Sequence, residues 1–427
     1  MMLPHANSKA LVASRLLNSK LRLRETVLAA FGDPAQFGFQ LLMNLSDRQW
    51  SGLLRWLDTS GLALMFLERM RELDLVRILP AEVQLRLERN LADNSQRIGE
   101  MIAESVAIQR HFQRADLSYA ALKGFSLWPV SVPRLELRSQ LDLDFLIAEE
   151  GAEEARTILE DFGYRLHAVS GRSWEFKADE DRPASLATLY KAGGRRSAEL
   201  HLEAKENGNG SVLSRTRELC FHGVYMPVLA PVDLFLGQGL HLYKHLSNDF
   251  VRAAHLVEFR RHVVARSDDA TFWSNLRRRV GDQRETPVRL GVVVLLIERL
   301  MGRFAPDALT SWTADRVPGA ARLWVDLYGP RTALASFPGT KLYLLLVKEL
   351  AEVGVGSKRS LGRALLPRRL PPATGKPVEG ETAGARLNRL KTEVGYIVFR
   401  LRFHFVEGLR LVCESILWRR YRSGRSQ

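Results

Sequence analysis

The chain has 427 residues, 46% of them apolar and 26% charged, with a formal net charge of +14. Such a composition belongs to a globular protein with a sizeable core and excludes collagen-like and intrinsically disordered classes. The charge is uneven: residues 357–427 hold 16 Lys/Arg against 5 Asp/Glu, so +11 of the excess lies in the last sixth and the body is close to neutral. Cys220 and Cys413 stand far apart and without metal-ligand spacing, which argues against a disulfide framework or a zinc knuckle and makes a reducing, cytoplasmic setting the expectation. Near the start, Lys9, Arg15, Lys20, Arg22 and Arg24 interrupt the apolar residues, so no secretion signal is expected. The most apolar stretch, Val394 to Trp418, is broken by Arg400, Arg402, Glu407, Arg410 and Glu414, which speaks against a membrane span.

Taken in chain order, residues from about 8 to 115 read as helical. Leu11, Leu16, Leu17, Leu21 and Leu23 lie in a basic amphipathic opening, and helical periodicity returns at Trp50–Leu73 and Ala81–Gln113. The texture changes at Leu117. Leu117 to Leu122 reads as a short strand, Lys123-Gly124 as a turn, and the residues through Trp128 as a brief helix. After a loop bracketed by Pro129 and Pro133 come Arg138 and an apolar strand, Leu141 to Ile147, that contains Asp142-Leu143-Asp144. Ala152–Phe162 reads as a helix ended by Gly163, followed by strands at Arg165–Val169, Trp174–Lys177, Leu186–Tyr190 and Ser197–Glu203. Helices resume at Val232–Leu246, Phe250–Val264 and Pro287–Met301; a Gly-, Pro- and Arg-rich linker then leads to a last helix at about Leu387–Tyr421.

On a strand, Asp142 and Asp144 point to one face while Leu141, Leu143 and Phe145 point to the other. Two neighbouring carboxylates repel, and a divalent cation with its preference for hard oxygen ligands resolves the conflict. Phosphoryl or nucleotidyl transfer needs such carboxylates to hold Mg²⁺, a glycine turn whose N–H groups receive phosphates, and a cation to offset the remaining charge. The chain supplies these in order: Lys123-Gly124 with Ser126, then Asp142 and Asp144, then Glu199 on a later strand.

This order resembles the nucleotidyltransferase fold of the DNA polymerase beta superfamily, and more closely the bacterial uncharacterised nucleotidyltransferase family. The resemblance rests on Ala121-Leu122-Lys123-Gly124, Arg138, Asp142-Leu143-Asp144-Phe145-Leu146, Gly163-Tyr164 and Glu199-Leu200-His201, over about Ala120 to Glu203. Lys123-Gly124-Phe125-Ser126 stands where the superfamily has a Gly-Ser turn, and Glu199 is one methylene longer than aspartate.

The resemblance implies an α+β protein with a minimal nucleotidyltransferase core and mixed sheet, flanked by helical N- and C-terminal regions. The expected division is a helical region over 1–115, the core over 116–230, helices over 231–353, a flexible basic linker over 354–386, and a basic amphipathic helix and tail over 387–427. The implied activity moves a nucleoside monophosphate from an NTP to an unidentified small-molecule, protein or glycan acceptor. Asp142, Asp144 and Glu199 would hold two Mg²⁺ ions and carry the catalysis; Lys123, Gly124, Ser126 and Arg138 would contact the nucleotide. The alternative is a catalytically degenerate module of the same fold that binds nucleotide or a partner. His201 shares the strand face of Glu199 and reads as structural; His241 and His245 read as core or groove-lining, and Asp249, Arg252 and Glu258 as a solvated helix face with contacts to a cleft. The basic C-terminal helix fits packing on the body, an anionic membrane surface at the inner membrane face, or nucleic acid.

Overall fold

A computed structural model describes residues 19–35, 38–179, 186–194, 196–203, 210–248, 250–356 and 383–423. The opening residues before 19, Asp249 and most of the linker expected over 354–386 lie outside the described residues. No described helix is long and apolar enough to cross a membrane.

The chain begins with helices α1 (19–29), α2 (Gln40–Met43), α3 (Asp47–Ser60), α4 (Ala63–Glu72) and α5 (Ala81–Arg114). Ser46 and Gln49 form a capping box at the start of α3, with the Ser46 N–H donating to Gln49 Oε1 at 2.9 Å. The single helix expected over Trp50–Leu73 is two, because Gly61 adopts φ 74° and ends α3. A side chain at this position would also meet the Arg252 guanidinium, with an added Cβ at 2.7 Å from Nη2.

At 34 residues, α5 is about 50 Å long and spans two apolar clusters. Val83 and Leu87 at its start belong to the first cluster, while Ile98, Val106, Ile108 and Phe112 belong to the second, beneath the sheet. Among the described residues the sheet has seven strands: β1 (Tyr119–Leu122), β2 (Leu143–Ile147), β3 (Arg165–Ser170), β4 (Ser173–Ala178), β5 (Arg196–Leu202), β6 (Arg217–Phe221) and β7 (Val224–Val228). Their order is β3-β4-β5-β2-β1-β7-β6, with β2–β5 and β1–β7 parallel and the other pairs antiparallel. This is the mixed sheet of an α+β fold. Leu143, Phe145 and Ile147 enter the core, and helix α6 (Ala152–Asp161) covers that face through Ala155 and Leu159.

Two strand readings change. Leu186–Tyr190 is no strand but a 3₁₀ turn over Leu186–Thr188, and Tyr190 is buried with its hydroxyl donating to Asp58 Oδ1 at 3.0 Å. The β6–β7 hairpin was not read from the sequence. It closes through His222 (φ 45°) and Gly223 (φ 81°), the two positive angles that a tight hairpin turn needs. The helix expected through Trp128 is one 3₁₀ turn, Gly124–Leu127.

Beyond the sheet run α7 (Pro231–Leu246), α8 (Ala254–Val264), α9 (Ala270–Val280), α10 (Glu285–Met301), α11 (Asp307–Thr310), α12 (Gly319–Ala333) and α13 (Tyr343–Glu352). Their buried residues share the first cluster with those of α1, α3 and α4, from Val27 and Leu57 to Val293 and Leu346. Helix α14 (Ala383–Ser423) starts four residues before the expected point and is fixed to this body by Leu411 and Trp418, both buried in its cluster.

Candidate active site

Strand register brings the acidic residues together. Leu122 pairs with Asp144 across β1–β2, and Asp144 pairs with Glu199 across β2–β5. Paired residues on adjacent strands, about 4.8 Å apart, share one sheet face, so Asp144, Glu199 and, two residues on, His201 converge. His201 Nε2 lies 3.0 Å from Asp144 Oδ1 and 3.1 Å from Glu199 Oε2. Lys123, the first residue beyond β1, places Nζ 2.6 Å from Asp144 Oδ1 and 3.8 Å from Glu199 Oε2. Glu175 on β4 continues the row, paired with Glu199, and its carboxylate meets Lys177 at 2.8 Å.

The charges of these groups depend on one another. Burial alone would raise the Asp144 carboxyl, but the His201 hydrogen bond and the Lys123 ammonium hold it below its ordinary value. Burial, then the Asp144 charge, push the Asp142 carboxyl up to about 6. Burial works to lower Lys123 and His201, yet both finish above their ordinary values: the lysine through Asp144, the imidazole through its hydrogen bonds to Asp144 and Glu199.

The Lys123-Gly124 turn has a local cause. Both residues have positive φ, 47° and 34°, and a Cβ at Gly124 would run into the Gln140 amide, which itself donates to the Asp142 carbonyl at 2.9 Å. Gln140 thus couples the turn to the first aspartate. Ser126 is buried, and both its N–H (2.8 Å) and its hydroxyl (2.7 Å) donate to the Lys123 carbonyl. Arg138 is committed to Glu258 on α8 at 2.9 Å. The solvated helix face expected around Arg252 and Glu258 is therefore corrected: Glu258 is buried, and Arg252 points inward to donate to Ser139 Oγ at 2.8 Å. Arg97 and Arg252 both lie close enough to feel the Asp142 charge.

A cavity of about 300 Å³ opens beside Lys123, walled by Leu122, Leu127, Leu146 and Leu234 and edged by Arg138, Gln238, His241, His255 and Glu258. Burial first, then His245 and Lys123, push His241 down to about 3, so this imidazole is neutral at pH 7. A larger cavity of about 380 Å³ lies among Glu104, Tyr164, Asp179 and Arg196, where Arg196 already pairs with both acids. Of the two, the smaller is lined by Lys123 and Arg138.

Of the seven residues chosen from sequence, Lys123, Asp144 and Glu199 meet directly, Asp142 adjoins them, Gly124 and Ser126 form the turn, and Arg138 edges the cavity. His201, read as structural, sits between the two carboxylates; its spacing of two from Glu199 on a strand was the signal. Glu203 is turned away to accept from Ser211 and the Leu213 N–H. One ligand atom each from Asp144, Glu199 and His201 lie within 4.8 Å of one another. That donor set fits a divalent cation: two oxygens suit Mg²⁺, and the imidazole nitrogen adds affinity for Mn²⁺ or Zn²⁺. The Lys123 ammonium between the carboxylates marks the place as one that favours positive charge.

Carboxylates converging on one face of a mixed sheet, beside a lysine–glycine turn, make a site suited to nucleotidyl transfer. Over residues 46–301 the sequence matches the family described as uncharacterised nucleotidyltransferase, and the chain belongs to that family. No curated protein matches it. Among solved structures it is similar to the lincosamide antibiotic adenylyltransferase LnuA in its lincomycin-bound form, at 15% identity over 37% of this chain and 92% of that one, with a TM-score of 0.26. It is also similar to the antibiotic-resistance factor ANT(2'')-Ia, at 13% identity over 44% and 94%, with a TM-score of 0.30. Neither likeness bears on the acceptor of this chain.

Proposed function

We propose that this protein uses Mg²⁺ to move a nucleoside monophosphate from an NTP to a hydroxyl or phosphate of a small-molecule, protein or glycan acceptor, releasing pyrophosphate in the cytoplasm. The observation that carries this reading is the convergence of Asp144 and Glu199 around the Lys123 ammonium at the end of β1. In it, Asp142, Asp144 and Glu199 hold the metal, with His201 orienting Asp144. Bound Mg²⁺ would supply Lewis-acid polarisation of the transferred phosphate and neutralise its charge.

The remaining steps belong to the chain itself. Gly124 lets the backbone approach the triphosphate, and Ser126 holds that turn in shape through its two donors to Lys123. Lys123 exchanges its carboxylate partners for phosphate oxygens, while Arg138, steadied by Glu258, offsets charge from the cavity side. Glu199, the more exposed carboxylate of the pair, accepts the acceptor's proton as its oxygen attacks the α-phosphorus. The bond to the bridging oxygen breaks and its electron pair leaves with pyrophosphate. The adjoining cavity houses the organic part of one substrate.

The test is an NTP titration with and without Mg²⁺, with pyrophosphate release measured against a panel of acceptors. The parent is expected to bind NTP in a Mg²⁺-dependent manner, and Asp142→Asn/Asp144→Asn to lose that dependence. Binding that ignores Mg²⁺, or is unchanged in the double variant, overturns the catalytic reading in favour of a binding module.

A further inference from the structure

Helix α14 presents two faces of opposite character. Its inner face is anchored: Trp418 Nε1 donates to Glu349 at 2.8 Å, Arg422 meets the same carboxylate at 2.9 Å, and Tyr328 and Arg331 hold Glu414 at 3.0 and 2.6 Å. Glu407 also turns inward, accepting from Thr340 Oγ1 at 2.7 Å. These contacts fix which side looks outward.

The outward side is apolar along its length. Leu387, Val398 and Leu409 recur every eleven residues, as do Val394, Phe405 and Ile416, and a third thread starts at Leu390; their exposures run from 45% to 69%. Eleven residues in three turns is about 3.67 per turn, close to the helix's own 3.6, so the stripe runs nearly straight for about 44 Å. A straight stripe suits a plane better than the left-handed wrap that a seven-residue repeat imposes. The charges interleaved with it, Lys391, Arg402, Arg419 and Arg420, are all positive and exposed. Two of the helix's three acids face the body, and the third, Glu393, is half-buried. Residues 357–382, just before the helix, add six Lys/Arg against two Glu.

We propose that this outward face of α14 is a docking surface for an anionic lipid bilayer, with the helix lying in the plane of the interface. Apolar side chains enter the acyl boundary while the arginines meet lipid phosphates. A second copy of the helix would set like charges against one another, and a nucleic acid would cover apolar side chains with phosphate, so charge and hydropathy together select lipid. The helix is too charged to span, in keeping with a surface position.

Vesicle co-sedimentation of the full chain tests this, using phosphatidylcholine alone and an equal mixture with phosphatidylglycerol. The parent is expected to bind only the mixed vesicles and to release at high salt. Phe405→Glu/Leu409→Glu is expected to weaken binding about tenfold or more. Both positions are exposed, and an unchanged melting temperature reports an intact fold. Independently, an environment-sensitive dye on the exposed Cys413, in a Cys220→Ser background, is expected to shift to the blue on mixed vesicles. Absence of binding, equal binding to both vesicles, a dye that stays in water, or a soluble dimer that the double substitution dissolves would each overturn the proposal.

Discussion

Lys123 holds its ammonium 2.6 Å from Asp144 although its backbone sits at φ 47°, a region that costs a non-glycine residue about 1 kcal/mol or more. Together with His201, the ammonium offsets the repulsion of the Asp144 and Glu199 carboxylates across β2–β5. Lys123→Met is therefore expected to lower the melting temperature of the metal-free protein and to enlarge the rise produced by Mg²⁺, as thermal melts with chelator and with metal would register. The pH dependence follows from Asp142 and His201. Asp142 titrates near 6 in the folded protein against 3.8 ordinarily, so the folded state holds the extra proton between those values and metal-free stability falls as pH rises through that window. His201 is also raised, so its contribution is full below 6.5 and fades as pH climbs through its folded value. Both effects run the same way. Mg²⁺ competes with the Asp142 proton and with the charge of protonated His201, so its affinity is expected to rise about tenfold or more per pH unit below 6 and to level only once His201 has lost its proton. Asp142→Asn is expected to flatten that slope and to raise the metal-free melting temperature at pH 7, both measurable by thermal shift across pH.

At the scale of elements, the long helices and the β2 strand were legible because their side chains alternate or recur at one period over many residues, although the strand expected from Leu141 starts at Leu143 and leaves Asp142 just ahead of it. Leu186–Tyr190 imitates a strand because Leu189 and Tyr190 face a neighbouring core, not because the backbone pairs. The β6–β7 hairpin escaped notice because its turn is His-Gly instead of Asn-Gly, and because Cys220 and Pro227 interrupt its strand composition. Asp144 and Glu199 were legible as members of an ordered series. The Arg138–Glu258 pair was not, since it joins residues 120 apart that only the packing of α8 against the cavity brings together. For α14, Trp418→Ala removes a buried indole and leaves the Glu349 carboxylate to Arg422. The expected local cost, about 3–5 kcal/mol, loosens the helix, so limited proteolysis should cut within α14 while the body resists.

Across the whole molecule, helices α1 to α4, ahead of the sheet, share one apolar cluster with the helices that follow it. Leu57→Ala near the start and Val293→Ala far along the chain are thus expected to destabilise the same unfolding transition. Leu57→Ala should cost about 2–5 kcal/mol, and coincident shifts in denaturant melts followed by tryptophan fluorescence and circular dichroism would show it.

That shared cluster also bears on how the protein comes into being. A ribosome delivers α1 to α4 and the start of α5 first, but the later helices that complete the covering of their apolar faces begin only at Pro231, roughly 160 residues after α4 ends. At about 5–20 residues per second, those faces stay only partly covered for on the order of 10–30 s during synthesis. The sheet, whose strands all lie in that interval, can close before the helical body does. The nascent chain therefore passes through a stage with a complete sheet and an open helical half, a stage in which chaperone protection matters most.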